Sequence, residues 1–134
     1  MAQALNHSAP RILLVEDELL VRMFAVDVLE ESGFKIEEAG TAQEALDLLA
    51  KDPSAPVAAV IDLGLPDRAG DALADEVRKL HPQLPIVIAS GRSEREIRDR
   101  FATDSRVAAL VKPYTASLLL ETLSKLGVAV SEPN

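Results

Sequence analysis

Short apolar runs alternate five times with helix-patterned segments along this chain, and that alternation leaves few folds open. Arg11 to Val15 is rich in Leu and β-branched residues and reads as the first strand. Leu19 to Ser32 has apolar residues at helical spacing (Leu20, Phe24, Val28), with Gly33 as its stop. Lys35 to Ala39 is a short second strand. Thr41 and Glu44 form a capping box ahead of Ala45, Leu46, Leu48 and Leu49, the second helix. Pro53 and Pro56 bracket the turn into a third strand, Val57 to Ile61. A Gly- and Pro-containing loop then leads to a helix over Asp71 to Leu80, with Leu73 and Val77 inward. Pro82 and Pro85 precede the fourth strand, Ile86 to Ala89. Ser93 to Phe101 is charge-rich, and Ile97 and Phe101 are its only large apolar pair. Ser93 and Glu96 offer a capping box there, but the pattern predicts a marginal helix. Val107 to Val111 is the fifth strand, and Thr115 to Leu126 the last helix, closed by Gly127.

Connections this short predict one doubly wound α/β domain over residues 11–127, a mostly parallel sheet with helices on both faces. Residues 1–10 are expected to be a disordered N-terminal tail and 128–134 a C-terminal tail, disordered over Ser131 to Asn134. A chain of 134 residues buries roughly two thirds of its unfolded surface without staples. With 48% hydrophobic but only 3% aromatic residues, its core must be Leu, Val, Ile and Ala. The lack of Cys excludes disulfides and thiolate chemistry and fits a cytoplasmic setting. A net charge of −8 argues against phosphate-driven nucleic-acid binding. No apolar stretch has the length of a membrane span, and Met1 to Pro10 has no signal-peptide core.

The chemistry is concentrated where the strands end. Open parallel α/β sheets bind ligands beyond the carboxyl ends of their strands. Glu16 and Asp17 follow the first strand, Asp62 the third, Ser90 the fourth and Lys112 the fifth. Neighbouring carboxylates repel, and a hard divalent cation with oxygen ligands relieves that repulsion; Mg²⁺ takes one or two carboxylates plus phosphate oxygens. Glu and Asp at a helix start are also favoured by the helix dipole alone. An Asp at the lip of a strand can form an acyl phosphate by in-line attack. Gly64, two residues on, keeps the approach open and offers a backbone carbonyl as a further oxygen ligand. Ser90 and Lys112 supply a hydroxyl and an ammonium for the remaining phosphoryl oxygens, with Gly91 leaving room.

These residues resemble the response-regulator receiver domain, the CheY-like module of two-component signalling, over about Arg11 to Leu126. The matching pieces are Leu14-Val15-Glu16-Asp17-Glu18, Asp62-Leu63-Gly64-Leu65-Pro66 with Gly70 following, Ser90, and Lys112-Pro113-Tyr114. The resemblance implies a five-stranded sheet in order 2-1-3-4-5 and a cis Lys112–Pro113 bond. It implies that Asp62 accepts a phosphoryl group from a sensor histidine kinase or phosphotransfer protein. Glu16, Asp17, Asp62 and the Gly64 carbonyl would bind Mg²⁺, while Ser90 and Lys112 hold the phosphoryl oxygens and alter the surface offered to a downstream protein target. One position departs from the family: Ala109 stands where many members have a Tyr or Phe switch. Ala89-Ser90-Gly91 is similar to a subgroup that lacks this aromatic and has a poorly ordered fourth helix. Ordering of residues 91–105 is therefore the expected route of signal transmission.

Two other readings compete. An aspartate-nucleophile phosphohydrolase needs a general acid/base two residues after its nucleophile, and Gly64 occupies that place. A phosphorylation-independent interaction module on the same fold would usually have lost one of Glu16, Asp17, Asp62 and Lys112. Neither His7 nor His81 has the helical context of a kinase phosphohistidine. The chain ends soon after its last helix, so a stand-alone receiver or a piece of a hybrid kinase is expected, as monomer or weak homodimer. Leu118, Leu119 and Leu120 are consecutive, so one helix face cannot bury all three.

Overall fold

A computed structural model describes residues 9–52, 54–91 and 94–130. Residues 1–8 and 131–134, the Ser93 cap, His7 and Pro53 lie outside these described residues. Val128, expected in the tail, is instead buried against the core, its N–H donating to the Leu123 carbonyl at 3.0 Å. In chain order the elements are β1 (Arg11–Val15), α1 (Leu19–Glu31), β2 (Lys35–Ala39), α2 (Ala42–Lys51) and β3 (Ala58–Asp62). Then follow α3 (Gly70–Leu80), β4 (Ile86–Ser90), α4 (Glu94–Arg100), β5 (Val107–Val111) and α5 (Ala116–Lys125). The five strands form one parallel sheet in the order β2-β1-β3-β4-β5. The order reverses between β1 and β3, so their C-terminal ends open a crevice.

Strand side chains alternate between the two faces. Leu13, Val15, Ala59, Ile61, Ile86 and Ile88 pack under α2, α3 and the single buried residue of α4, Ile97. Ile12, Leu14, Ala58, Val60, Val87 and Leu110 pack under α1 and α5 through Ala25, Leu29, Leu119 and Leu123. Central β3 and β4 are buried along their whole length, as a sheet covered on both sides requires. Gly33 and Gly127 adopt positive φ after α1 and α5, where only glycine is unstrained.

Three local expectations change. In α1 the buried face is Ala25, Val28 and Leu29, while Leu20 and Phe24 are exposed. Two apolar stripes share this helix, and its first turns overhang the crevice instead of the sheet. Thr41 accepts the Glu44 amide as expected, but the Glu44 carboxylate reaches the Gly40 amide instead of its own cap residue. The third and fourth strands run one residue further than their apolar runs, so Asp62 and Ser90 are held by the sheet ladder itself.

Candidate functional site

Asp62 is buried at the end of β3, flanked by β1 and β4. The backbone just past it is held twice at Leu63, whose N–H donates to the Ala89 carbonyl at 2.9 Å and whose carbonyl accepts from Gly70 N–H at 2.8 Å. Gly70 starts α3 directly against the acceptor: a Cβ there would lie 2.1 Å from the Asp62 carbonyl oxygen. Glu16 is buried just past β1, and Asp17 is exposed beside it. Carboxylate oxygens of Glu16, Asp17 and Asp62 all lie within 4.8 Å of one another. That compact all-oxygen set suits a hard divalent cation.

Lys112, one residue past β5, points its ammonium into the same cluster. Nζ donates to Glu18 Oε1 at 2.8 Å, Asp62 Oδ1 at 3.1 Å and Glu16 Oε1 at 3.2 Å. Burial raises the pKa of both Glu16 and Asp62 because it disfavours their charged forms. Lys112 lowers Asp62 in return, and so does a backbone hydrogen bond from Gly64. For Lys112, burial opposes the charged form but is outweighed: hydrogen bonds to Glu18 and Asp62, with the charges of Glu16 and Asp62, raise its pKa. The ammonium thus stays charged among acids that are partly reluctant to ionise.

Ser90 ends β4 and is buried at the cleft wall beside Gly91, where a Cβ would meet nothing within 4 Å. The Lys112–Pro113 peptide is cis. Asp17, Asp62, Gly64, Ser90 and Lys112 all line a cleft of about 1040 Å³, together with the apolar Leu20 and Phe24 and with Tyr114. Phe24 and Tyr114 face each other at 6.1 Å between ring centroids. Burial, with the nearby Glu16 charge, pushes the Tyr114 hydroxyl up to about 12. The structure therefore brings together every side chain singled out at the strand ends. Sequence reasoning missed two features. Glu18 was only the third acid of a run, yet it makes the shortest contact with Lys112. The Leu20–Phe24 stripe forms part of the cleft lining, whereas helical spacing alone showed only that this segment is a helix.

Ala109 is half-buried against the core, next to a smaller cavity of about 340 Å³ lined by Ile97, Phe101, Ala108 and Thr122. Leu119 is fully buried, Leu120 half-buried and Leu118 exposed, so α5 does leave one of its three leucines outside.

Comparison with known proteins agrees with the geometry. The response regulator receiver domain family matches residues 12–124. Sensor kinase CckA of Brucella abortus is 31% identical over 115 residues, covering 86% of this chain and 12% of that protein. Transcriptional regulatory protein PdtaR of Mycobacterium tuberculosis is 34% identical over 114 residues, covering 84% of this chain and 54% of that protein. The chain thus spans about half or less of these relatives. The non-phosphorylated HemR receiver domain of Leptospira biflexa superposes with a TM-score of 0.79 at 30% identity, covering 93% of this chain and 98% of that one. With its doubly wound sheet, its acidic cluster and its strand-end lysine, the chain belongs to the response-regulator receiver family, the CheY-like domain of two-component systems.

Proposed function

We propose that Asp62 is a phosphoacceptor and that the chain, over residues 11–127, works as a phosphorelay receiver. The observation that carries this is the three-carboxylate cluster closed by Lys112 at the mouth of a parallel sheet. An Asp62 carboxylate oxygen attacks the phosphorus of a phosphohistidine in line. The O–P bond forms as the P–N bond breaks, and the electron pair leaves with the imidazole nitrogen, which takes up a proton. Glu16, Asp17, Asp62 and the Gly64 carbonyl would hold Mg²⁺, which when bound neutralises charge on the transferring group. The Lys112 ammonium and the Ser90 hydroxyl would hold two phosphoryl oxygens, and the rigid Asp62 backbone aims the carboxylate.

The phosphoryl donor would be a sensor histidine kinase or phosphotransfer protein in the cytoplasm, resting on the exposed Leu20 and Phe24 wall. A downstream protein target would read the changed Ser90–Lys112 surface. Gly64 leaves no general acid/base two residues after Asp62, so the chain is a phosphoacceptor with self-dephosphorylation at most.

Intact mass after incubation with acetyl phosphate, with and without Mg²⁺, tests the reading beside Asp62→Asn. One added phosphoryl group is expected, dependent on Mg²⁺ and lost in Asp62→Asn. A folded chain that gains none, both from acetyl phosphate and from candidate kinases, overturns it in favour of a phosphorylation-independent interaction module.

A further inference from the structure

The Lys112 ammonium has three N–H donors. All three are taken by carboxylates: Glu16, Glu18 and Asp62. A phosphoryl oxygen on Asp62 needs one of those donors, so one existing contact must yield. Glu16 and Asp62 form the buried floor, with side chains only 3% and 7% exposed. Glu18 is 61% exposed, so water can solvate its carboxylate once the lysine leaves.

Glu18 has a second peculiarity. It is the N-cap residue of α1, with an extended backbone, yet its side chain makes no cap hydrogen bond. The short side chains of Ser, Thr, Asp and Asn ordinarily accept an amide of the first turn at this position, and the longer Glu18 does not. The first turn of α1 also has no acid of its own. The Glu18 carboxylate therefore forgoes the helix terminus and turns to Lys112. Lys112 engages it in the resting chain, and the positive end of the α1 dipole is its other favourable neighbour.

Resting on the acceptor reading of Asp62, we infer that Glu18 is a positioning residue. Its carboxylate holds the Lys112 ammonium at the cleft rim in competition with the phosphoryl group, and on release it becomes free to face the positive end of the α1 dipole. The contact slows phosphoryl capture and links the acceptor's state to the start of α1. Glu18 touches no reacting atom; it acts through Lys112.

The Glu18→Gln chain tests this with two readouts. The first is the ¹⁵N–¹H signal of the Lys112 ammonium, assigned by comparison with Lys112→Met. It is expected to shift between the native chain and Glu18→Gln, and to recover in Glu18→Asp. The second is the rate of Mg²⁺-dependent capture from acetyl phosphate, read by intact mass. It is expected to rise about fivefold in Glu18→Gln, the scale of one exposed ion pair. The gain is expected to vanish when Lys112→Met is also present. An unchanged ammonium signal overturns the inference. So does an equal gain with and without Lys112, because that would be mere relief of repulsion toward an anion. A native chain that captures no phosphoryl group overturns the acceptor reading instead, and the ammonium signal still decides whether Glu18 holds Lys112.

Discussion

Gly70 shows how little room a single atom has beside Asp62. A Cβ there would approach the Asp62 carbonyl oxygen to 2.1 Å and the Asp62 carbonyl carbon and Leu63 Cα to 2.8 Å, all backbone. No rotamer relieves such a clash, so α3 would have to move off the end of β3. Gly70→Ala is expected to cost about 3 kcal/mol in denaturant unfolding, the upper range for overpacking, and to lower the capture rate because the acceptor's support shifts. Gly91→Ala has open space around the new methyl and is expected to unfold within about 1 kcal/mol of the native chain. Equal losses in the two variants would show that backbone freedom, and not crowding, explains both glycines.

Among the helices, α4 is the least anchored by apolar contact, with Ile97 its one buried residue. Arginine clamps on α3 supplement it. Arg100 reaches Asp75 at 2.6 Å and Asp71 at 3.4 Å and lies over the Phe101 ring, and Arg78 of α3 grips Asp104 at 2.9 Å. Because these pairs are half-exposed, each is worth little alone. Arg100→Ala is expected to speed amide hydrogen exchange across residues 94–106 severalfold while leaving β3 and β4 unchanged; equal exchange throughout would show that Ile97 suffices. The weak apolar pattern of 93–101 already predicted a marginal helix, but the clamps were not legible, since they join residues about 25 apart in sequence whose pairing only the fold creates. The same limit explains α1. Spacing selects Leu20, Phe24 and Val28 as readily as Ala25, Val28 and Leu29, and only the overhang of the crevice decides between them. The strands and the acids at their ends were legible because short apolar runs closed by polar residues have few other uses in a parallel sheet.

The whole molecule bears the strain of its own site. Burial raises the pKa of Glu16 and Asp62 above their ordinary values of 4.5 and 3.8. The sign follows from linkage: where the folded pKa is higher, the folded chain binds the proton more tightly than the unfolded one. Stability from these groups is complete below their ordinary values and falls as pH rises through the raised ones. At neutral pH without a cation, the ionised cluster thus works against folding, although Lys112 offsets part of the repulsion. Asp62→Asn removes one of the crowded charges. In chelator at pH 7 it is expected to melt a few degrees higher than the native chain, on the order of 1 kcal/mol, and the gap should close toward pH 4. Mg²⁺ should reverse the order. A ligand bound only by the folded state adds about 2.7 kcal/mol at a hundred times its Kd, and Asp62→Asn, with one carboxylate fewer, should gain less. Thermal melts of both chains at the two pH values, with chelator and with Mg²⁺, read all of these differences. If Asp62→Asn melts below the native chain in chelator at pH 7, then the Lys112 contacts outweigh the crowding, and the cluster is a source of stability without any cation.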